Sequence, residues 1–227
     1  CELAAQRLRE GVVGEAQHIL ATNYVPYGTV YFDEHYRDYA VTQGLFVQKA
    51  THDFDYMMYL MNAPIVRVAA MRSVGRVFGG DKPAGLRCSA CAEQDTCFES
   101  PQNRRRNGSG GVLRDHWCSF GSDCGTPQDG MNEDSSSALL EFASGAHGAY
   151  TQVFYARRDA AERGATVSGY MGTLSFDWYQ NSLRYVRHHQ PFSDTTHAGE
   201  GASHFGGDAE LGRDFVQLIR SGRTPRA

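Results

Sequence analysis

Along this chain of 227 residues the spacing of apolar positions changes several times, and each change marks an element. Residues 2–10 are strong helix formers closed by Gly11. Residues 16–24, centred on Ile19 and Leu20, predict a strand, and the Tyr- and Gly-rich stretch 25–43 predicts a loop with one helical turn. Between 45 and 61, Phe46, Phe54, Met57, Met58, Leu60 and Met61 fit a buried helix face better than alternation. Pro64 stops that helix, and the β-branched character of 65–77 predicts a strand.

Residues 79–134 lose this patterning, being poor in aliphatic side chains and rich in Cys, Arg and Gly. So long a stretch without elements is unusual in a compact domain and predicts an insertion with its own staple or a mobile lid. From 135 onward, short apolar runs at 138–142, 147–156, 165–171, 174–179 and 183–188 are separated by turn residues, the pattern of an antiparallel meander. Leu211, Phe215, Leu218 and Ile219 then fall at helical spacing over 208–220, with Asp208 as the N-cap and Gly222 and Pro225 beyond the end. The sum is an α+β fold: an open, mainly antiparallel sheet with helices packed on one face.

Composition narrows the function classes. At 41% hydrophobic and 11% aromatic the chain can bury a core. A net charge of -4 argues against nucleic acid as a partner, and no run of eighteen apolar residues predicts a membrane span. Of 22 basic residues only Lys49 and Lys82 are lysines. The chain opens at Cys1 and stops just past a helical pattern, which reads as a piece of something longer.

The richest chemistry lies between Gly44 and Tyr59. If 47–61 is helical, Gln48, His52, Asp55 and Tyr59 are spaced four, three and four apart. They then share about 60° of one face. Histidine as a residue type exchanges protons near neutrality, so His52 suits proton exchange with a substrate hydroxyl, and a carboxylate can hold its tautomer. The same residues equally suit a helix start in which Thr51 or Asp53 caps. A metal bound by His52, Asp53 and Asp55 would need further ligands, and His116, His147 and His204 are scattered.

Residues 45–60 resemble the signature helix of the Gfo/Idh/MocA family, the glucose–fructose oxidoreductase and inositol dehydrogenase group. The likeness extends in order through Leu8–Glu15, the Glu133–Tyr150 hairpin, the turn at Gly172 and the stretch from His204 to Asp208. It covers most of the chain except 79–132. The family helix carries Asp-x-Gly-x-His-x-x-Asp; His52 and Asp55 match, whereas Gln48 replaces the acid and Ala50 the glycine. The resemblance implies the C-terminal domain of a two-domain Rossmann-type oxidoreductase. Residues 1–11 would form the junction helix from an absent dinucleotide-binding domain. Residues 12–227 would form the substrate-binding and oligomerisation domain, interrupted by the cysteine-rich insertion at 79–134. Neither Gly108–Gly111 nor Lys82-Pro83 sits where the family's nucleotide motifs do, so NAD or NADP is expected to bind mainly outside this chain.

What the resemblance implies is an NAD(P)-dependent oxidation of a sugar, cyclitol or related polyol, with His52 as proton acceptor and donor and Asp55 orienting the helix or its histidine. Gln48 can hydrogen-bond substrate but cannot act as acid or base near neutrality. Lys49 could stand in by polarising the reacting oxygen. Tyr36 and Arg37, in an aromatic loop before the helix, suit a polyol or acidic sugar. A nicotinamide-dependent glycosidase and a non-catalytic sensor or assembly module remain alternatives on this scaffold.

Cys88-x2-Cys91-x5-Cys97 and Cys118 supply four thiols for a structural zinc that would staple the insertion; disulfides and free thiols stay open as well. Tyr150, Gln152, Phe154, Trp178 and Tyr185 on the predicted strands imply an exposed aromatic sheet face covered by a second copy, hence a homo-oligomer. A cytoplasmic setting follows from the family resemblance.

Overall fold

The computed structural model describes residues 1–108, 114–124, 131–197 and 207–222. Its centre is one eight-stranded sheet in the order β2-β3-β4-β1-β5-β6-β7-β8. The strands are β1 (Ala16–Tyr24), β2 (Ile65–Ser73), β3 (Ser135–Phe142), β4 (His147–Val153), β5 (Glu162–Gly169), β6 (Gly172–Asp177), β7 (Ser182–Arg187) and β8 (Ser193–His197). All neighbours are antiparallel except β1 and β4, which run parallel with Leu20 opposite Ala149. β1 thus enters between two later hairpins and becomes a central strand. Its alternation buries Ile19, Ala21 and Asn23 and turns Leu20 and Thr22 outward.

Helices α1 (Glu2–Arg9) and α5 (Ala50–Met61) pack on one face, where Ala4, Ala5, Tyr56, Met57 and Leu60 meet Ile19, Tyr150, Val167 and Leu174. Short turns α2 (Val30–Asp33), α3 (Tyr39–Thr42) and α4 (Leu45–Gln48) carry the chain from β1 to α5. Beneath the insertion, which holds α6 (Pro101–Arg106), a second core gathers Val25, Tyr31, Phe32, Leu45, Phe78 and Phe154. The final helix α7 (Gly207–Ser221) leaves Leu211, Phe215 and Ile219 exposed. The expected cap Asp208, like Ser109–Gly111, His204 and Pro225, lies outside the described residues or side chains.

Several sequence expectations need correction. The strand predicted over 65–77 ends at Ser73 because the Asp134 carboxylate accepts from the backbone N–H groups of Arg76, Val77 and Phe78 and turns the chain inward. The aromatic outer face does not form. Tyr150, Gln152 and Phe154 are buried toward the helices, and the opposite face carries Ser137, Thr151, Thr166 and Ser175 with Leu20, Met71 and Leu139 exposed among them. Strand β8 reads Ser-Asp-Thr-Thr-His and is wholly exposed, so no apolar pattern announced it.

The insertion is docked, contrary to the mobile-lid reading. Buried Arg104 pairs with buried Asp33, and Arg114 makes a two-pronged contact with Glu34 at 2.7 and 3.0 Å. Cys124 donates to the Phe32 carbonyl at 3.2 Å, and Phe32 stacks on Phe78 with centroids 4.1 Å apart.

Candidate active site

The helix expected over 47–61 is built in two pieces that break at Lys49, whose backbone (φ -121, ψ -48) leaves the helical well. Gly44 at φ 90 opens the first piece, a left-handed entry that favours glycine. Buried Glu133 reaches across from before β3 and accepts the Phe46 N–H at 2.9 Å, supplying a cap that no nearby residue provides. Asn62, left-handed at φ 48, ends α5, and Pro64 prevents its resumption.

α5 is clamped from beneath by Asp53. This carboxylate is fully buried and accepts from Asn23 Nδ2 at 2.6 Å, the Tyr150 hydroxyl at 2.8 Å, and Arg163 Nε and Nη2 at 3.0 and 2.7 Å. Burial works against the Arg163 charge, but the Asp53 carboxylate prevails and leaves that guanidinium raised above its ordinary pKa. Burial, followed by the field of Asp53, also pushes the Tyr150 phenol far up, so it stays a neutral donor. Asp53 is therefore neither helix cap nor metal ligand. Sequence reading missed its importance because its partners come from β1, β4 and β5, far along the chain. Its position on the apolar side of a helix, between Ala50 and Met57, was the available signal.

With Asp53 turned inward, the preceding imidazole must turn outward. His52 and Asp55 are both exposed, and His52 has no hydrogen-bond partner among the described residues. No bond joins His52 to Asp55, so the tautomer-holding role expected of Asp55 has no contact behind it among the described residues. Gln48 is half-buried on α4, and Tyr59 is drawn to α1, its hydroxyl 3.1 Å from Glu2 Oε2. The four-residue row is thus interrupted: His52 and Asp55 remain together, Gln48 belongs to the previous segment, and Tyr59 is structural.

Lys49 sits at the break and donates from Nζ to the Tyr27 hydroxyl at 2.8 Å, its ammonium 5.1 Å from that ring centroid. Tyr179 lies near the same polar surface, its phenol pushed up to about 12 by burial and by the field of Tyr27. The rim at the start of α5 thus holds the Lys49–Tyr27 pair, with Gln48 one residue before Lys49 and exposed His52 one helical turn after it, and the α5 clamp underneath. Two clefts elsewhere among the described residues are not lined by His52. One lies between α1 and α5, against Ala5, Leu8 and Met58, and another crosses the outer sheet face at Thr22, Glu162 and Arg184.

Arg37 and Tyr36 are engaged elsewhere. Arg37 pairs with Asp123 at 2.8 Å and lies 5.7 Å from the Trp117 ring, while Tyr36 packs on Tyr31 and its carbonyl accepts from Asn132. Both fasten the aromatic loop to the insertion. No three of the four cysteines expected to hold one zinc have sulfurs mutually within 4.8 Å. Among the described residues the only group of three His, Cys or carboxylate ligand atoms mutually within 4.8 Å is Asp33, Glu34 and His116. There Arg104 and Arg114 already balance the carboxylates.

No curated protein matches the chain. Among solved structures it resembles levoglucosan dehydrogenase in complex with NADH and L-sorbose (16% identity, TM-score 0.65, 97% of this chain and 54% of that one). It also resembles an oxidoreductase domain protein from Kribbella flavida (14%, TM-score 0.63, 99% and 55%). A third is UDP-N-acetylglucosamine 3-dehydrogenase from Acidithiobacillus ferrooxidans (13%, TM-score 0.54, 99% and 51%). At such identities the likeness is one of fold, and the chain spans about half the length of these structures. The model of the GFO/IDH/MocA C-terminal domain matches residues 2–175, from α1 through the helix that carries His52 and on into β6. With the open sheet, the helix layer and the His52 rim in place, the chain belongs to the Gfo/Idh/MocA family, whose C-terminal domain it carries.

Proposed function

We propose that this chain is the substrate-binding half of an NAD(P)-dependent oxidoreductase acting on a sugar, cyclitol or related polyol. The observation that carries the reading is the exposed, unpartnered His52 imidazole on a helix whose opposite side is clamped by buried Asp53. A rigid support holds one free proton acceptor at an open rim, which is what general base catalysis requires. Lys49 and Gln48 supply donors near it for substrate hydroxyls.

In this proposal His52 takes the hydroxyl proton of the alcohol carbon, and the Lys49 ammonium steadies the oxygen as the C–O bond becomes C=O. A bound nicotinamide cofactor would supply the hydride acceptor for that carbon. The donor set fits such chemistry: the His52 imidazole is open, Lys49 brings a cation held by the Tyr27 hydroxyl, and half-buried Gln48 brings an amide. The return reaction runs the same proton back from His52. Asp55 contributes negative charge beside the imidazole. Arg37 and Tyr36 act here through the shape of the loop rather than as direct substrate ligands.

We further infer that two copies associate through the outer sheet face, where Leu20, Met71 and Leu139 lie exposed among small Ser and Thr side chains. A cytoplasmic setting is part of this reading by family resemblance, and among the described residues no helix is long and apolar enough to cross a membrane.

The test uses the full-length protein with a panel of polyols, reading NADH or NADPH formation. His52→Ala should lower kcat by about 100-fold or more. It should leave the fold and the substrate KM nearly unchanged. An unaltered kcat would remove His52 from the chemistry, and release of an aglycone without net cofactor reduction would replace the dehydrogenase reading by the glycosidase one.

A further inference from the structure

The insertion holds a group of thiols that neither the fold nor the rim explains. Of the six cysteines, all free, Cys124 belongs to the second core and Cys1 to the chain start. The other four are brought together by backbone geometry. An antiparallel bridge pairs Arg87 with Trp117, so that Cys88 N–H donates to the His116 carbonyl at 2.9 Å and Cys118 N–H to that of Leu86 at 2.7 Å. Cys88 and Cys118 each follow a bridge residue, so they share one face of this short ladder diagonally, Cys88 across from His116 and Cys118 across from Leu86. A tight turn of 3-10 helix over Cys88–Ala90 returns Cys91, whose N–H donates to the Cys88 carbonyl at 3.2 Å. The next turn, closed by Cys97 N–H to the Glu93 carbonyl at 2.9 Å, presents Cys97. Burial raises the Cys88 and Cys118 thiols, and the smaller fields of Cys97 and Cys118 on Cys88 and of Cys91 and Cys97 on Cys118 accord with the ladder and the turns in gathering the four cysteines around one volume.

The size of that volume is informative. Zinc held by four thiolates at about 2.3 Å keeps every pair of sulfurs about 3.8 Å apart. Here no three cysteine sulfurs lie mutually within 4.8 Å. A cubane cluster instead attaches each thiolate to a different iron corner, which spaces the sulfurs by the width of the cluster. Charge agrees as well. Lys82, one of two lysines in the chain, pairs with Glu93 at 2.9 Å and places Nζ 3.6 Å from Cys91 Sγ, and the fields of Arg104 and its partner Asp33 act on Cys88 in opposite senses. A cation directed at a cysteine sulfur suits an anionic thiolate-bound cluster better than neutral thiols.

We propose that Cys88, Cys91, Cys97 and Cys118 hold a [4Fe–4S] cluster that staples the insertion. The cluster closes a loop from Cys88 to Cys118 that contains little apolar side-chain surface of its own. The docked insertion, through Arg104–Asp33 and Arg37–Asp123, braces the loop leading to α4, so cluster and rim are mechanically joined. This inference stands apart from the oxidoreductase reading, because metal content is read without turnover.

The experiment is anaerobic purification of the full-length protein from iron-supplied cells, with iron, zinc and acid-labile sulfide measured per chain. About four iron and four sulfide are expected, with the broad visible absorption of thiolate-to-iron charge transfer and an electron-spin signal after dithionite. Cys91→Ser and Cys97→Ser should each lose most of the iron, whereas His52→Ala, the variant that tests the catalytic reading, should keep it. One zinc per chain without sulfide overturns the proposal. So does a protein that takes up neither iron nor sulfide after anaerobic reconstitution. Should the serine variants not fold, the iron-to-sulfide ratio of the unaltered protein decides by itself.

Discussion

Residues 52 and 53 are neighbours in sequence and opposites in structure, so removing each should have opposite consequences. Asp53→Ala deletes the acceptor of four hydrogen bonds and leaves the Arg163 guanidinium, whose side chain is only 20% exposed, without its counter-charge. Breaking a buried ion pair from one side costs about 3–5 kcal/mol. Two features place this case toward the lower end: Arg163 retains some solvent and a cation–π contact with Trp178 at 4.5 Å, and the Tyr150 hydroxyl can still donate to Gln152 Oε1 at 3.1 Å. About 3 kcal/mol is then the expected loss, a large share of the roughly 5–15 kcal/mol that holds a domain folded. His52→Ala removes an exposed, unpartnered ring and should stay within about 0.5 kcal/mol of the parent. Urea denaturation followed by tryptophan fluorescence compares the two, since Trp178 stands beside Arg163. A difference below about 1 kcal/mol between the variants would refute the clamp. An Arg163→Met partner completes a double-mutant cycle, in which the two losses should be strongly non-additive.

Other outcomes follow from the same geometry. Lys49→Ala should reduce kcat more than it raises KM for a polyol substrate, whereas Arg37→Ala should chiefly loosen the insertion, read as faster proteolysis between α6 and β3. His18, half-buried against the outer face with His147 at a centroid distance of 5.0 Å, has its pKa lowered by burial and then by His147. The unfolded chain therefore binds the proton first, and stability should fall with acidification from about pH 6.5 down to the lowered folded value. His18→Gln should flatten that part of the curve, and an unchanged slope would contradict it. Cys124, its thiol pushed up to about 12 by burial, should resist alkylation at neutral pH until the protein is unfolded. Leu139→Arg on the outer sheet face should shift sedimentation toward the monomer, and an unchanged oligomer would place the interface elsewhere.

Much of the scaffold was legible because its elements carry local signals. The alternation of β1, the turn-punctuated run from β3 to β7 and the apolar face of α5 all follow from side-chain period, which is set by backbone geometry alone. His52 was legible for a similar reason, as a polar residue beside an apolar helical stripe within a recognisable motif. β8 escaped because an exposed edge strand buries nothing and needs no pattern.

What the amino-acid order determined by itself was therefore the class of fold, the helix bearing His52 and the cluster of thiols in one segment. Tertiary structure decided which way things face. It set Asp53 as the clamp and His52 as the open group, turned Tyr150 and Phe154 inward, broke the helix at Lys49, and gave Arg37 to Asp123. Each of these depends on a partner remote in sequence: Glu133 capping α4, Arg163 neutralising Asp53, β1 threading between β4 and β5. Local periodicity reports which residues can share a face, but only long-range pairing of buried charge and unsatisfied backbone groups determines what that face meets.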